Sequence, residues 1–244
     1  MSIKRHVPNF ITLLNLLCGS LAIIFIMKDE PVTAVYLILI ATLMDFLDGF
    51  SARVFNAYSV IGKELDSLAD LVSFGLAPSL LLYSFYDLYL QQNHPEWTVL
   101  SFIPMTVVLA AALRLAIFNT DTQQKSTFKG LPTPANAILI SMIFCSIYSD
   151  PFIGLIVNSI ITIPLISILL SILMVSKIPM FSLKIKGFNY SDNKNLYHFL
   201  IISLILAGLT LLTGSAFTTA ILVIFLNYIL FNIILFLFRK PVNS

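Results

Sequence analysis

Four aspartates in this chain are spaced to share a site. They read Asp45-x2-Asp48-Gly49-x2-Ala52-Arg53, then eight residues, then Gly62-x3-Asp66-x3-Asp70. Residues three or four apart project from one face of a helix, so Asp45 and Asp48 form one pair and Asp66 and Asp70 another. All four lie in or beside long apolar stretches. A carboxylate facing hydrocarbon costs at least a few kcal/mol, so acids inside a membrane face a polar interior and have work to do there. Four of them close together repel strongly, and divalent cations relieve that repulsion. Oxygen-only ligands suit Mg2+, Mn2+ or Ca2+ rather than zinc or copper. The natural substrate for such a site is a phosphate.

The small residues between the acids fit this chemistry. Glycine within a helix costs up to about 1 kcal/mol relative to alanine, so Gly49 and Gly62 imply close packing or ligand approach. Ala52, one turn after Asp48, keeps the same face open, and Arg53 suits a phosphate or carboxylate. Two other readings stand beside this one. The acids could be paired with bases that hold helices together, although only Arg114 and the interfacial Arg53 are at hand. They could also serve a cation-coupled transporter.

The elements that must position these acids are membrane helices. The chain has 244 residues, 58% hydrophobic and 11% charged, with a mean hydropathy of +0.95. Soluble domains carry about 25% charged residues, so this composition describes an all-α integral membrane protein. The net charge of +2 gives no basis for nucleic acid as a partner. Cys18 and Cys145 lie apart in apolar runs, and His6, His94 and His198 are scattered. Neither a disulfide framework nor a zinc site is expected. The first apolar run, after Lys4 and Arg5, lacks a small-residue cleavage site and is not read as a leader.

Apolar runs predict about eight transmembrane helices, near 8–27, 31–54, 66–89, 97–118, 132–149, 151–176, 196–213 and 216–238. They form a single polytopic domain over 1–244, with a core at about 8–176 and two further helices at about 196–238. With eight spans, one set of loops holds Lys4, Arg5, Arg53, Lys63, Lys125, Lys129, Lys177, Lys184, Lys186, Lys194, Arg239 and Lys240. The opposite set holds only Lys28. The positive-inside rule then places both termini and the acid pairs on the cytoplasmic side. The expected location is the cell (inner) membrane, with the site facing the cytoplasm.

The eight fixed positions from Asp45 to Asp70 resemble the signature of the CDP-alcohol phosphotransferases. That resemblance implies six core helices, a site for two divalent cations (Mg2+ or Mn2+) in a cytoplasm-facing cavity, and a homodimer. Members move a phosphoalcohol from a CDP-linked donor to an acceptor hydroxyl and release CMP. Position by position, Asp45, Asp48, Asp66 and Asp70 resemble the metal-binding acids, and Asp70 also the general base. Gly49, Ala52, Arg53 and Gly62, with Asp48, resemble the wall of the CDP pocket. Asn9 and Thr12 look like the first-helix segment near the nucleotide.

Three further stretches resemble the phosphatidylserine synthase branch. They are Arg114-Leu-Ala-Ile-Phe-Asn119, with Ile117 where that branch has a second arginine, Phe128-Lys-Gly-Leu-Pro-Thr-Pro-Ala135, and Ser176-Lys-Ile-Pro-Met-Phe-Ser-Leu-Lys184. The branch implies CDP-diacylglycerol as donor and L-serine as acceptor, among membrane lipids. Arg114, Asn119, Lys129 and Lys184 are then candidate serine-binding residues. The same chemistry with glycerol 3-phosphate or an inositol phosphate remains an alternative.

Overall fold

A computed structural model of the chain describes residues 6–120, 128–180 and 193–238. Its first two spans are α1 (Val7–Met27) and α2 (Pro31–Val54). Each has a proline at its start, where the missing N–H costs nothing. Along α1, Thr12, Asn15, Gly19, Ala22 and Ile26 are buried at alternating spacings of three and four. Phe10, Leu13 and Leu17 are exposed on the other side. A helix patterned this way packs one stripe inward and offers the rest to lipid. In α1 the inward stripe carries two polar side chains, Thr12 and Asn15, and the small Gly19 and Ala22.

The third span is longer and less regular than the apolar pattern predicts. It starts at Val60 rather than 66 and continues to Asn93. Its first part, α3 (Val60–Asp70), is capped by Ser59, whose side chain accepts from the Gly62 N–H at 2.9 Å. A π-helical turn, Leu71–Leu76, follows, and then α4 (Ala77–Asn93). Pro78 explains the wide turn. In a regular helix its ring would meet the carbonyl four residues back, and it has no N–H to give. The π turn shifts the pairing, so that Ala77 N–H reaches the Val72 carbonyl. Ser73 lies in this turn and donates to the Asn15 carbonyl at 3.0 Å. A Cβ on Gly19 would lie 2.6 Å from Ser73 Cα. Gly19 therefore permits a close approach of α1 to the third span.

The fourth span joins a 3-10 stretch, Pro95–Phe102, to α5 (Met105–Thr120). Next come α6 (Thr133–Ser149), α7 (Pro151–Val157) and α8 (Thr162–Val175). The sequence reading has one helix over 151–176. The structure breaks it at Asn158, and α7 turns 115° away from α6. Asp150 caps α7 through the N–H groups of Phe152 and Ile153. The last two spans, α9 (Lys194–Leu212) and α10 (Phe217–Leu237), pack together. Asn227 Nδ2 donates to Ser203 Oγ across that pair at 2.8 Å.

Among the described residues, six helices are long and apolar enough to cross a membrane, and α6 with α7 would make a seventh. The remaining apolar helix, α8, has 14 residues, about 21 Å at the usual rise, short of a ~30 Å hydrocarbon core. The chain is thus an all-α integral membrane protein. One short antiparallel ladder joins β1 (Phe128–Lys129) to β2 (Pro179–Met180), with Phe128 opposite Met180 and Lys129 opposite Pro179. The core includes Ile38, Phe74, Leu81, Tyr86, Ile140 and Phe144.

Candidate active site

The acid pairs meet where α1, α2 and α3 come together. Asp45, Asp48 and Asp66 each offer a carboxylate oxygen, and these oxygens lie within 4.8 Å of one another. Asp70, one turn beyond Asp66, is outside that trio but close enough for its charge to interact with all three. Asp48 and Asp70 are buried, at 6% and 7% exposure, so bulk water does little to screen them.

Helix α1 supplies the neutral donors. Thr12 Oγ1 lies 2.6 Å from Asp48 Oδ2 and 3.0 Å from the Pro8 carbonyl, and its one proton serves one of them at a time. Asn15 Nδ2 donates to Asp70 Oδ1 at 3.4 Å. The sequence reading does not assign Asn15 to the site. Its signal was a fully polar amide on the same helical stripe as Thr12.

The arrangement fits a cation better than a set of ion pairs. Among the described residues no Lys or Arg nitrogen comes within 4.0 Å of the four carboxylates. One oxygen of Asp66 is buried with no hydrogen-bond partner. A buried carboxylate oxygen in that state is costly, and a hard cation among three such groups would satisfy it.

The acids open on one cavity, and a second contains Arg114, whose charge interacts with Asp70. The first, about 220 Å³, is walled by Asn9, Thr12, Asp48, Gly49, Ala52, Gly62 and Asp66, together with Tyr58, Ser59 and Lys63. Nothing lies within 4 Å of where a Gly49 side chain would stand, so that glycine leaves the floor open. Gly62 instead makes room for Asn9, whose Oδ1 would lie 2.9 Å from an added Cβ. Of the residues expected around the nucleotide, Arg53 alone is not brought into this wall. It is exposed, and its Nε donates to the Gly49 carbonyl at 2.9 Å, along its own helix. Lys63, from the sequence only a loop cation, stands in the wall.

The second cavity, about 270 Å³, is lined by Arg114, Ile117, Phe118, Lys129, Ser176 and Lys177, among others. It unites segments far apart in sequence. Gly130 has φ +72°, and its N–H donates to the Ile178 carbonyl at 2.9 Å, while Leu131 N–H reaches the Leu173 carbonyl at 3.0 Å. These bonds, with the β1–β2 ladder, hold Lys129 beside Lys177. Arg114 is buried, donates to Thr133 Oγ1 at 3.4 Å, and lies close enough to Asp70 for their charges to interact. Its Nε has no partner.

Asn119 is not part of this cavity. Its Nδ2 donates to Ser67 Oγ at 2.8 Å and its carbonyl accepts from Lys63 Nζ at 2.8 Å, so it faces α3. Lys177, not among the residues expected from the sequence, supplies a further cation to this cavity. Lys184 lies outside the described residues.

Fold and site together define a polytopic membrane protein with an acidic, cation-ready centre that opens on one cavity, and with a second, basic cavity at Arg114. The profile of the CDP-alcohol phosphatidyltransferase family matches residues 5–180, and the chain belongs to that family. Among curated proteins it is similar to the CDP-diacylglycerol--serine O-phosphatidyltransferase of Bacillus subtilis (strain 168), 41% identical over 130 residues, covering 53% of this chain and 70% of that one. The enzyme of the same name from Mycobacterium leprae (strain TN) is 37% identical over 136 residues, covering 54% and 44%. That from Saccharomyces cerevisiae (strain ATCC 204508 / S288c) is 36% identical over 157 residues, covering 57% and 54%. The match thus spans about half the length of the last two relatives.

Proposed function

We propose that this protein transfers the phosphatidyl group of CDP-diacylglycerol to the hydroxyl of L-serine, giving phosphatidylserine and CMP. The observation that carries the reading is the carboxylate trio within 4.8 Å, set beside a cavity lined by the motif residues. The names of the relatives supply the serine.

Asp45, Asp48, Asp66 and Asp70 would hold divalent ions, probed as Mg2+ or Mn2+ and in our reading two per site. Such ions, when bound, neutralise charge on the attacking and leaving oxygens. The chain's own residues do the rest. Asn9, Thr12, Gly49, Ala52 and Gly62 shape the pocket for the cytidine and diphosphate. The acyl chains stay among the membrane lipids. Arg114, Lys129 and Lys177 attract the serine carboxylate. Asp70, fixed by Asn15 and held near Arg114, takes the proton of the serine hydroxyl. The serine oxygen bonds to the β-phosphorus, the bond from that phosphorus to the CMP oxygen breaks, and CMP departs. A serine hydroxyl is a weak nucleophile, so holding it in line with the leaving group supplies much of the acceleration.

The cytoplasmic facing of site and termini rests on the lysine and arginine distribution over an even number of spans, and the homodimer on family resemblance. Both are part of this proposal.

The test is CMP release by purified protein given CDP-diacylglycerol, Mg2+ or Mn2+, and a panel of alcohols. Serine should support release and chelation should stop it. The three cations of the second cavity would also suit a phosphate-bearing alcohol, so the panel includes glycerol 3-phosphate and inositol phosphate. Release with either of those and none with serine would overturn the acceptor assignment.

A further inference from the structure

The donor of the proposed reaction carries a diphosphate, and the first cavity presents Asp48 and Asp66 to it. Bound cations offset that charge, yet an anionic substrate also needs a basic group in the wall. Arg53 lies outside this wall, its Nε donating to the Gly49 carbonyl along its own helix. Lys63 is the single lysine or arginine among the described residues of the wall. It stands one turn before Asp66, on the same face of α3. Its ammonium rests 2.8 Å from the Asn119 carbonyl, an acceptor that uses one of its three N–H groups. Lys63 is exposed, so its flexible stem can swing the charge toward the cavity without disturbing the core.

We propose that Lys63 is a donor-binding residue, which leaves the Asn119 carbonyl or shares it in order to contact the diphosphate of the bound nucleotide. The proposal rests on the phosphatidyltransferase reading for the identity of the donor. It goes beyond that reading by placing the positive charge of the pocket on a residue that the motif leaves variable, between Gly62 and Asp66.

A second role must be separated from this one. Lys63 and Ser67 grip Asn119 from successive turns of α3. They thereby clamp the end of α5, the helix that carries Arg114 into the second cavity. A lysine that acted only as a clamp would alter the acceptor site, and loss of Ser67 would mimic its loss.

The experiment uses the full chain, purified in detergent. CDP binding is measured by titration calorimetry with Mg2+ or Mn2+ present, so that no turnover is needed, and KM for donor and acceptor is measured separately. Lys63→Met should weaken CDP binding about tenfold or more, the loss expected when a charged hydrogen-bonding group is removed. It should raise the donor KM with it and leave the serine KM within about twofold. Lys63→Arg should restore most of the affinity, and Ser67→Ala should leave CDP binding unchanged. CDP affinity within about twofold of wild type in Lys63→Met overturns the proposal. So does equal weakening in Ser67→Ala, which would assign Lys63 to the clamp. If Lys63→Met fails to fold, Lys63→Gln, which removes the charge but keeps a polar stem, takes its place in the same comparison with Ser67→Ala. Wild-type protein with no affinity for CDP would instead overturn the underlying donor reading. Wild-type protein that binds CDP but ignores serine would overturn only the acceptor.

Discussion

Replacing Asp66 by asparagine should make the metal-free protein more stable and the metal-bound protein less so. Asp66 shares a radius of 4.8 Å with Asp45 and Asp48, and no basic nitrogen lies within 4.0 Å of them among the described residues. At an effective dielectric of about 20, two full charges at that distance repel by about 3.5 kcal/mol. Asp66 enters two such pairs. Water and shared protons absorb much of the sum, and a net gain of about 1–3 kcal/mol on neutralising Asp66 is the working figure. For a chain of this size each kcal/mol moves the midpoint of thermal unfolding by about 2–4 °C. Asp66→Asn in chelator should therefore melt roughly 2–12 °C above wild type. With Mg2+ or Mn2+ the order should reverse. Ligand at a hundred times its Kd stabilises wild type by about 2.7 kcal/mol, and the variant has lost an oxygen ligand. CMP release should fall below detection. The assay is a melting curve in detergent, with and without metal, run on both proteins. An Asp66→Asn protein that melts below wild type in chelator would refute the reasoning. Breaking a buried ion pair costs about 3–5 kcal/mol, so that result would mean the acids are held by bases and need no ion.

Two further substitutions probe how the fold delivers these groups. Gly19→Ala would put a methyl group 2.6 Å from Ser73 Cα, so α1 must retreat by roughly 1 Å to reach ordinary contact. Overpacking of this kind costs about 1–3 kcal/mol, and a 1 Å displacement of Thr12 and Asn15 from their aspartates should lower kcat by about a hundredfold. Melting curves and CMP release check both, and an active, unshifted Gly19→Ala would show that α1 does not set the acid geometry. Gly130→Ala forces an L-residue to φ +72°, with its Cβ 2.9 Å from the Ser176 carbonyl. The left-handed conformation alone costs about 1–2 kcal/mol. The loop should shift Lys129 away from Lys177, raising the acceptor KM well above the change in donor KM. Equal changes would assign the loop to stability alone.

The acid pairs were legible because helical period and sequence spacing are one fact: positions three and four apart share a face whatever surrounds them. The start of the third span was not, because Lys63 and Glu64 interrupt the apolar run before 66. Ser59, a good N-cap residue, was the available signal. Pro78 likewise announced a disturbed helix without saying that a π turn would absorb it. The polar Asn158-Ser159 step inside an apolar run marked the break between α7 and α8. Asn119 could have been placed from the sequence. It follows Arg114 by five residues, which is about 140° around a helix, so the two cannot easily serve one cavity. Arg53 and Lys63 were beyond reach. Choosing between two basic residues near one pocket requires knowing where each side chain finds its hydrogen bond.

The choice of donors around the acids bears on why a site like this stays open to ions. Thr12 and Asn15 hold Asp48 and Asp70 through neutral groups. Neutral donors fix a carboxylate in place without cancelling its charge. An arginine in either position would hold the helices together more firmly, but it would spend the negative charge that a cation needs. Helix α1 can supply these groups because Thr12, Asn15 and Gly19 follow one another on its inward stripe. Close approach at Gly19 brings it near enough for a short side chain to reach across. The fold therefore accepts uncompensated charge between α2 and α3, fastened from one side by α1, and leaves its relief to whatever ion and phosphate enter the cavity. That is the trade between stability and function expected where a buried acid cluster does chemistry.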